Sequence, residues 1–372
     1  MNGVVRTLSK TVEECRKAGH TVEVIAPSDG FMTFPLPTYP DIKIDLFAKR
    51  EVERRLVMFG PDAVHIATEG PLGWAARGLC LKWGMPFTTS YHTKFPEYVQ
   101  ARFPFIPPFI LTKLAYIFVR SFHNSCGRIM VTTPSMVAFL KEKKFENLAV
   151  WARGVDLIQF HPGVQFLNGD DVYADLPRPV FINVGRVAVE KNIEAFLEMD
   201  LPGSKVVVGD GPSMASLQKK YAGKVEFVGA KYGAELARHY ADADVFVFPS
   251  KTDTFGLVII EAMATGTPVA GYPVSGPVDI IPGSGAGVVG EDLRKAALAC
   301  LELDRKVVVQ HAKHYSWEQV AADFVSLLVP ETEPQRRLRW RRARRALRLA
   351  GAPWRIFKKV TRRIGRFVKT GK

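Results

Sequence analysis

Short apolar runs rich in β-branched residues recur along the chain, and stretches of helical periodicity lie between them. In the first half the runs are Thr21–Pro27, Ala63–Ile66, Pro86–Tyr91 and Arg128–Thr132, with helical stretches at Arg50–Phe59, Leu72–Lys82 and Leu111–Phe122. A loop rich in Pro, Gly and Asp follows (His161–Pro179), and then a second series begins. Its strands are Val180–Val184, Lys205–Val208, Val225–Val228, Val245–Phe248 and Pro268–Ala270, separated by helices such as Asn192–Glu198, Ser213–Tyr221 and Gly233–Ala241. Apolar runs without polar alternation are expected of strands covered on both faces, as in parallel sheets. Strand–helix alternation in two blocks predicts two facing, doubly wound α/β domains, which bind ligands outside the carboxyl ends of their strands.

The start of the chain departs from that scheme. A doubly wound domain opens with a strand, but here Asn2-Gly3 leads directly into a helix on which Val4, Val5, Leu8, Val12 and Cys15 share a face. Lys17-Ala18-Gly19 ends it. Two readings stay open: Met1 is an internal methionine, or the first sheet lacks its first strand.

Composition adds a division of labour. The 372 residues are 47% hydrophobic and 24% charged, as in globular proteins, and carry a net charge of +14. Of the 51 Lys and Arg, 16 lie between residues 335 and 372 with no acid among them, leaving 35 cations against 37 acids in the first 334 residues. The body is near neutral, and the whole excess sits in a C-terminal tail. No apolar run approaches the ~20 residues of a spanning helix, and the N-terminus lacks a secretory pattern. Four scattered cysteines, with no CxxC or Cys/His cluster, make a disulfide framework or zinc site the lesser expectation and a reducing cytoplasm the natural setting.

The segment from Phe248 to Val269 holds the densest candidate chemistry. A strand ends at Phe248, a polar loop carries Asp253, and a helix starts near Phe255-Gly256. Its first N–H groups, at Gly256, Leu257 and Val258, form an anion site that glycine lets a phosphate approach closely. Glu261, one turn in, is placed to accept hydrogen bonds from ribose hydroxyls, and Asp253 from sugar hydroxyls. The alternative is that both acids are an N-cap and a solvated helix face. Upstream, Asn183-Val-Gly-Arg-Val-Ala-Val-Glu-Lys-Asn192 leaves a buried strand with Arg186 and Lys191, which suit a diphosphate or are ordinary surface cations. In Val208-Gly-Asp-Gly-Pro212 the glycines serve a strand-to-helix turn.

Together, the Arg186/Lys191 pair, the Gly-Asp-Gly-Pro turn, the Phe-Pro-Ser strand end and the acid-x7-Glu spacing of Asp253 and Glu261 resemble the retaining glycosyltransferases of family 4, with the GT-B fold. The resemblance spans roughly residues 2–329. It implies a nucleotide-diphosphate sugar as donor, with Arg186 and Lys191 on its diphosphate, Glu261 on its ribose and Asp253 on the transferred sugar. Members of the family mostly carry Glu where Asp253 stands. The Tyr-His-Thr context of His92 implies a histidine against the transferring sugar; without the resemblance, a structural histidine is the plainer reading. Gly3 is similar to a remnant of the family's first glycine loop and implies a donor contact. His65 is expected to be structural. The Glu69–Gly73 turn is a candidate contact for donor or acceptor. Asp242-Ala-Asp244 looks like a metal-holding DxD but precedes a buried strand, so no essential metal or other cofactor is expected.

From Pro353, Trp354, Phe357, Val360, Ile364, Phe367 and Val368 recur at three- and four-residue steps. Arg355, Lys358, Lys359, Arg362, Arg363, Arg366 and Lys369 take the other face. Aromatic residues opposite a wholly cationic face describe an interfacial helix on anionic lipid; a disordered basic tail and a nucleic-acid segment are the alternatives. RNA would leave the apolar stripe exposed, so no nucleic-acid partner is expected. The expected domains are 1–155 on the acceptor side, 156–329 for the nucleotide sugar and 330–372 as a basic amphipathic tail. The expected reaction is transfer of a hexose or hexuronic acid to a membrane lipid such as diacylglycerol or a glycolipid, on the cytoplasmic face of the inner membrane. Surface-polysaccharide assembly and a truncated, inactive membrane protein are the competing readings; a dinucleotide dehydrogenase is disfavoured because no strand precedes a GxGxxG in either half. Sugar, base, acceptor and oligomeric state are not legible in the sequence.

Overall fold

A computed structural model of the chain describes residues 3–27, 33–36, 39–45, 49–92, 108–165 and 170–336. The tail residues expected at the membrane, Trp354, Phe357, Lys358, Lys359, Arg362, Arg363, Arg366 and Phe367, lie outside them.

In chain order the elements are α1 (Gly3–Lys17), β1 (Thr33–Leu36), β2 (Tyr39–Asp45), α2 (Lys49–Phe59), β3 (His65–Ile66), α3 (Pro71–Trp83), β4 (Thr88–Tyr91), α4 (Pro108–His123), β5 (Arg128–Val131), α5 (Pro134–Glu142) and β6 (Leu148–Val150). The second half continues with β7 (Val180–Val184), α6 (Glu194–Leu197), β8 (Ser204–Val208), α7 (Met214–Lys220), β9 (Glu226–Gly229), α8 (Gly233–Ala241), β10 (Val245–Phe248) and α9 (Leu257–Ala264). It closes with β11 (Val269–Gly271), α10 (Pro277–Ile280), β12 (Gly287–Val289), α11 (Leu293–Cys300), α12 (Arg305–Ala312) and α13 (Trp317–Leu327).

These form two compact units that interleave along the chain. One gathers Met1–His20, Val131–Glu142 and Val150–Ser326; the other gathers Thr21–Met130, Lys143–Ala149 and the described residues from Leu327 onward. Helices α1 and α5 therefore belong with the C-terminal unit.

The C-terminal unit is built on a six-stranded sheet of order β12-β11-β10-β7-β8-β9, parallel throughout. Side chains alternate across a strand, so each of these apolar runs feeds two cores. Val180, Ile182, Val184, Phe246 and Phe248 join Ile259, Ile260 and Met263 of α9 on one face. Phe181, Val245 and Val247 meet Phe196, Leu217, Ala297 and Cys300 on the other. Coverage on both faces is the reason these strands read as unbroken hydrophobic runs. The strand order reverses between β7 and β10, which makes their carboxyl ends the switch point where α/β sheets bind ligands.

Helix α1 forms where expected and ends at Gly19, whose φ of +91° lets His20 N–H reach the Cys15 carbonyl at 3.0 Å. Its buried face agrees with the expected one at Cys15 and otherwise differs. Thr7, Thr11, Glu14 and Cys15 are buried, whereas Val5 is exposed. The threonines tolerate burial because Thr7 Oγ1 donates to the Gly3 carbonyl and Thr11 Oγ1 to that of Thr7, both at 2.9 Å.

In the other unit a four-stranded sheet runs β3-β4-β5-β6, with β3 and β4 parallel and His65 opposite Thr88. Thr21–Pro27, expected as a strand, forms none. An antiparallel pair, β1 with β2, instead follows in the chain and pairs Thr33 with Asp45; it was not expected.

One buried histidine carries a pH prediction. His239 on α8 bonds through Nδ1 to the Tyr173 hydroxyl at 2.8 Å, and burial pushes its pKa down to about 4. The unfolded chain binds that proton near pH 6.5, so the stabilising neutral form is fully present above 6.5 and its contribution is lost as pH falls toward 4. Acidification from pH 7 to 5 should cost roughly 2 kcal/mol through this group. Urea unfolding of His239→Gln at the two pH values should show a correspondingly smaller drop.

Candidate functional site

At the carboxyl end of β7 the chain turns at Gly185 into a loop that carries Arg186 and Lys191. The Gly-Asp-Gly-Pro turn after β8 holds this loop. Gly185 N–H donates to the Val208 carbonyl at 3.0 Å, Val187 N–H to that of Asp210 at 2.9 Å, and Ser213 N–H to that of Val187 at 3.1 Å. The fit has no room for side chains. A Cβ on Gly209 would lie 1.8 Å from the Gly185 carbonyl oxygen, and one on Gly211 2.3 Å from that of Val187. The turn glycines are structural, and what they position is the cationic loop.

Arg186 leaves this loop exposed, with Glu190 3.9 Å away. Lys191 ends a 3-10 turn. Beyond it Asn192 adopts a left-handed conformation (φ +52°) and donates through Nδ2 to the Pro249 carbonyl at 3.0 Å. Thr252 Oγ1 bonds back to the Glu190 carbonyl at 3.1 Å. The loops after β7 and β10 are thus tied together across the switch point, and Lys191 Nζ meets Asp253 Oδ1 at 2.6 Å. The other carboxylate oxygen, Asp253 Oδ2, and the hydroxyl of Ser250 are buried without a protein partner among the described residues. Buried polar atoms are normally satisfied, so these two are acceptor and hydroxyl groups whose hydrogen-bonding capacity the described fold does not use.

Helix α9 starts beside them. Its N-cap is Gly256 at φ +87°, with no side-chain cap, so Asp253 is not the N-cap. A Cβ on Gly256 would stand 2.9 Å from Ile259 Cδ1. Leu257 and Val258 supply the first-turn N–H groups, and Gly3 of α1 lies next to Leu257, its Cβ position 3.5 Å from Leu257 Cδ1. Glu261 is not on a solvated face. It is buried and paired with Arg6 Nη1 at 2.8 Å, and its second oxygen accepts from the Tyr240 hydroxyl at 3.4 Å. Burial raises the Glu261 pKa, against the lowering effect of Arg6 and Tyr240. Burial likewise drives the Tyr240 phenol well above its ordinary value. Arg6 and Tyr240 were not singled out in the sequence.

His92 belongs to the other unit and directly follows β4, half-buried. Nearby in sequence, both ring nitrogens of His65 are bound, to Thr88 Oγ1 and Ser90 Oγ at 2.9 Å each. The Glu69 carboxylate of the Glu-Gly-Pro turn meets His123 Nε2 at 2.8 Å, and His123 Nδ1 meets Thr89 Oγ1 at 2.8 Å. Asp242 and Asp244 are occupied by the fold. Asp242 accepts from Val172 N–H at 3.1 Å; Asp244 accepts from Val180 N–H at 2.6 Å and Arg178 at 2.9 Å.

The family model described as Glycosyltransferase Family 4 matches residues 1–159, and that of the group 1 glycosyl transferases matches 178–304. A GDP-mannose-dependent alpha-mannosyltransferase of Mycobacterium tuberculosis is 30% identical, over 76% of this chain and 78% of its own. The chain belongs to the family 4, group 1 glycosyltransferases.

Other relatives of this glycosyltransferase differ in their named products. The sulfoquinovosyl transferase of Arabidopsis thaliana is 31% identical over 70% of this chain, which spans about half (52%) of that protein's length. An alpha-monoglucosyldiacylglycerol synthase of Acholeplasma laidlawii is 28% identical over 72% of this chain and 76% of its own. Among solved structures, sucrose-phosphate synthase from Thermosynechococcus elongatus superposes with a TM-score of 0.68 at 22% identity, covering 88% of this chain and 92% of that one. The fold is GT-B.

Proposed function

We propose that this glycosyltransferase moves a hexose or hexuronic acid from a nucleotide-diphosphate sugar to a lipid acceptor at an anionic membrane surface, with retention of anomeric configuration. The observation that carries the donor half is the Lys191–Asp253 pair at the switch point, next to the Gly256 end of α9 and to two unsatisfied buried oxygens. Arg186, Lys191 and the N–H groups of Gly256, Leu257 and Val258 bind the diphosphate and stabilise its charge as it leaves. Asp253 accepts from a hydroxyl of the transferred sugar and Glu261 from the ribose. His92 donates to the transferring sugar, and Gly3 lines the donor side. These cations and the helix end meet the donor's charge without a metal. In a retaining transfer of this kind the acceptor hydroxyl attacks from the face the nucleotide leaves. Its oxygen bonds the anomeric carbon, the bond to the diphosphate breaks, and the departing phosphate takes the proton.

The lipid half is supported by the basic amphipathic tail and by the diacylglycerol product in the name of one relative. Among the described residues no helix is long and apolar enough to cross a membrane, and a peripheral position on the cytoplasmic face of the inner membrane fits a tail that binds anionic lipid. The test incubates the full chain with anionic vesicles containing diacylglycerol or glycolipid and a panel of labelled nucleotide sugars. Label should enter the organic phase with the wild type and not with Asp253→Asn. Label confined to water would redirect the acceptor to a growing glycan, and no label from any donor would reject the enzyme reading.

A further inference from the structure

The Glu261 carboxylate poses a physical problem. It projects from α9, where its neighbours Ile259, Ile260, Ala262 and Met263 are wholly buried, and is itself 5% exposed. An unpaired carboxylate in such a place takes up a proton rather than stay charged. Only two side chains are seen on it among the described residues. Arg6 Nη1 holds Oε1 at 2.8 Å, and the Tyr240 hydroxyl reaches Oε2 at 3.4 Å. A carboxylate has about four lone-pair sites, so Oε2, with one long contact, retains acceptor capacity.

We propose that Arg6 is a positioning residue for the nucleotide donor: its guanidinium holds the Glu261 carboxylate as a fixed, anionic acceptor for the donor's ribose hydroxyls. This rests on the donor role proposed above for Glu261. Helix α1 has anchors besides Arg6, in buried Thr7, Thr11 and Cys15 and in Lys10 3.8 Å from Asp156. The arginine is therefore carried to the carboxylate by a helix that has other buried contacts of its own. Of the other titratable groups on the elements packed against α9, Lys306 on α12 is exposed, and on α8 Glu235 pairs with Lys231 and Arg238 donates to the Asp170 carbonyl. His239 on α8 bonds Tyr173; on α12 Arg305 donates to the Ala241 and Ala243 carbonyls and His311 pairs with the Ile280 carbonyl. Burial raises the Glu261 pKa and Arg6 lowers it. Removing Arg6 moves it further up, so the anionic acceptor is lost as pH falls through the raised value and regained above it.

The experiment measures binding of UDP and GDP to the full-length enzyme by calorimetry at pH 6 and pH 8, for wild type, Arg6→Gln, Arg6→Lys and Glu261→Gln. For the diphosphate that binds the wild type, Arg6→Gln should weaken binding about tenfold at pH 6 and clearly less at pH 8, because the buried carboxyl without Arg6 takes up a proton at the lower pH. Arg6→Lys, which keeps the charge, should recover most of the loss with a melting temperature close to wild type, and all binding is measured well below each variant's melting temperature. Wild-type affinity in Arg6→Gln, or an equal loss at both pH values, overturns the proposal. If Glu261→Gln weakens binding while Arg6→Gln does not, only the role of Arg6 falls. If Glu261→Gln binds as the wild type, the ribose reading falls and takes this inference with it.

Discussion

Replacing Lys191 by alanine should lower kcat/KM for the nucleotide sugar by roughly a hundred- to a thousandfold, the range seen when a group that stabilises developing charge is removed. Two effects act together. The leaving diphosphate loses a cation supplied from the carboxyl end of β7. In the free enzyme, Asp253 also loses the partner its Oδ1 meets at 2.6 Å, while its Oδ2 already lacks one. An unbalanced carboxylate at the switch point repels the donor's phosphates as well as failing to anchor its sugar. The fold should survive, because Lys191 is half-exposed and the two loops remain tied by Asn192 to Pro249 and Thr252 to Glu190. Steady-state kinetics with a melting curve decide it. Adding Asp253→Asn to Lys191→Ala should cost less than the sum of the single losses, since residues in direct contact couple. Near-wild-type turnover in the alanine variant would remove both residues from the donor site.

The second large effect is expected from a residue with no side chain. Gly209→Ala should destabilise the C-terminal unit by about 2–4 kcal/mol, through backbone strain and a disrupted hydrogen bond. Gly209 has φ +154°, and a methyl group there would stand 1.8 Å from the Gly185 carbonyl oxygen. Backbone cannot swing aside as a side chain can. The loop from Gly185 to Val187 must move, weakening the Val187–Asp210 bond and carrying Arg186 with it. Turnover should therefore fall even at temperatures where the variant is folded. Gly223→Ala is the control: it also has positive φ (+72°), but a Cβ there meets nothing within 4 Å. It should cost only the left-handed strain of about 1 kcal/mol and leave turnover unchanged. Melting curves and initial rates for the pair separate the collision from the conformational penalty.

How legible each element was in the sequence follows from how its hydrogen bonds and burial are arranged. Strands β7 and β10 appear at their expected limits because both faces of each are covered, which leaves no polar position to blur the run. Thr21–Pro27 has similar apolar character and forms no strand, a difference that apolar character alone does not reveal. The β1–β2 pair was missed although Asp41-Ile-Lys-Ile-Asp45 alternates with period two, the signal of a half-covered strand. The buried threonines of α1 were missed because hydropathy does not register hydroxyls satisfied by the helix's own carbonyls.

The candidate site divides along the same line. Arg186, Lys191, Asp253, Gly256 and Glu261 were legible because each sits at a strand end or helix start, where chain geometry over a few residues sets the chemistry. The sequence by itself determined the family, the strand–helix order of the C-terminal half, the cationic loop and the acid-x7-Glu spacing. Only the tertiary structure decided that Lys191 and Asp253 are partners 62 positions apart, that Glu261 is buried, and that an arginine 255 positions away balances it. The reason is physical. Turns, caps and apolar periodicity are set by bonds among near neighbours. The charge balance of a buried carboxylate depends on which distant side chain the folded sheet and its helices bring within hydrogen-bonding distance.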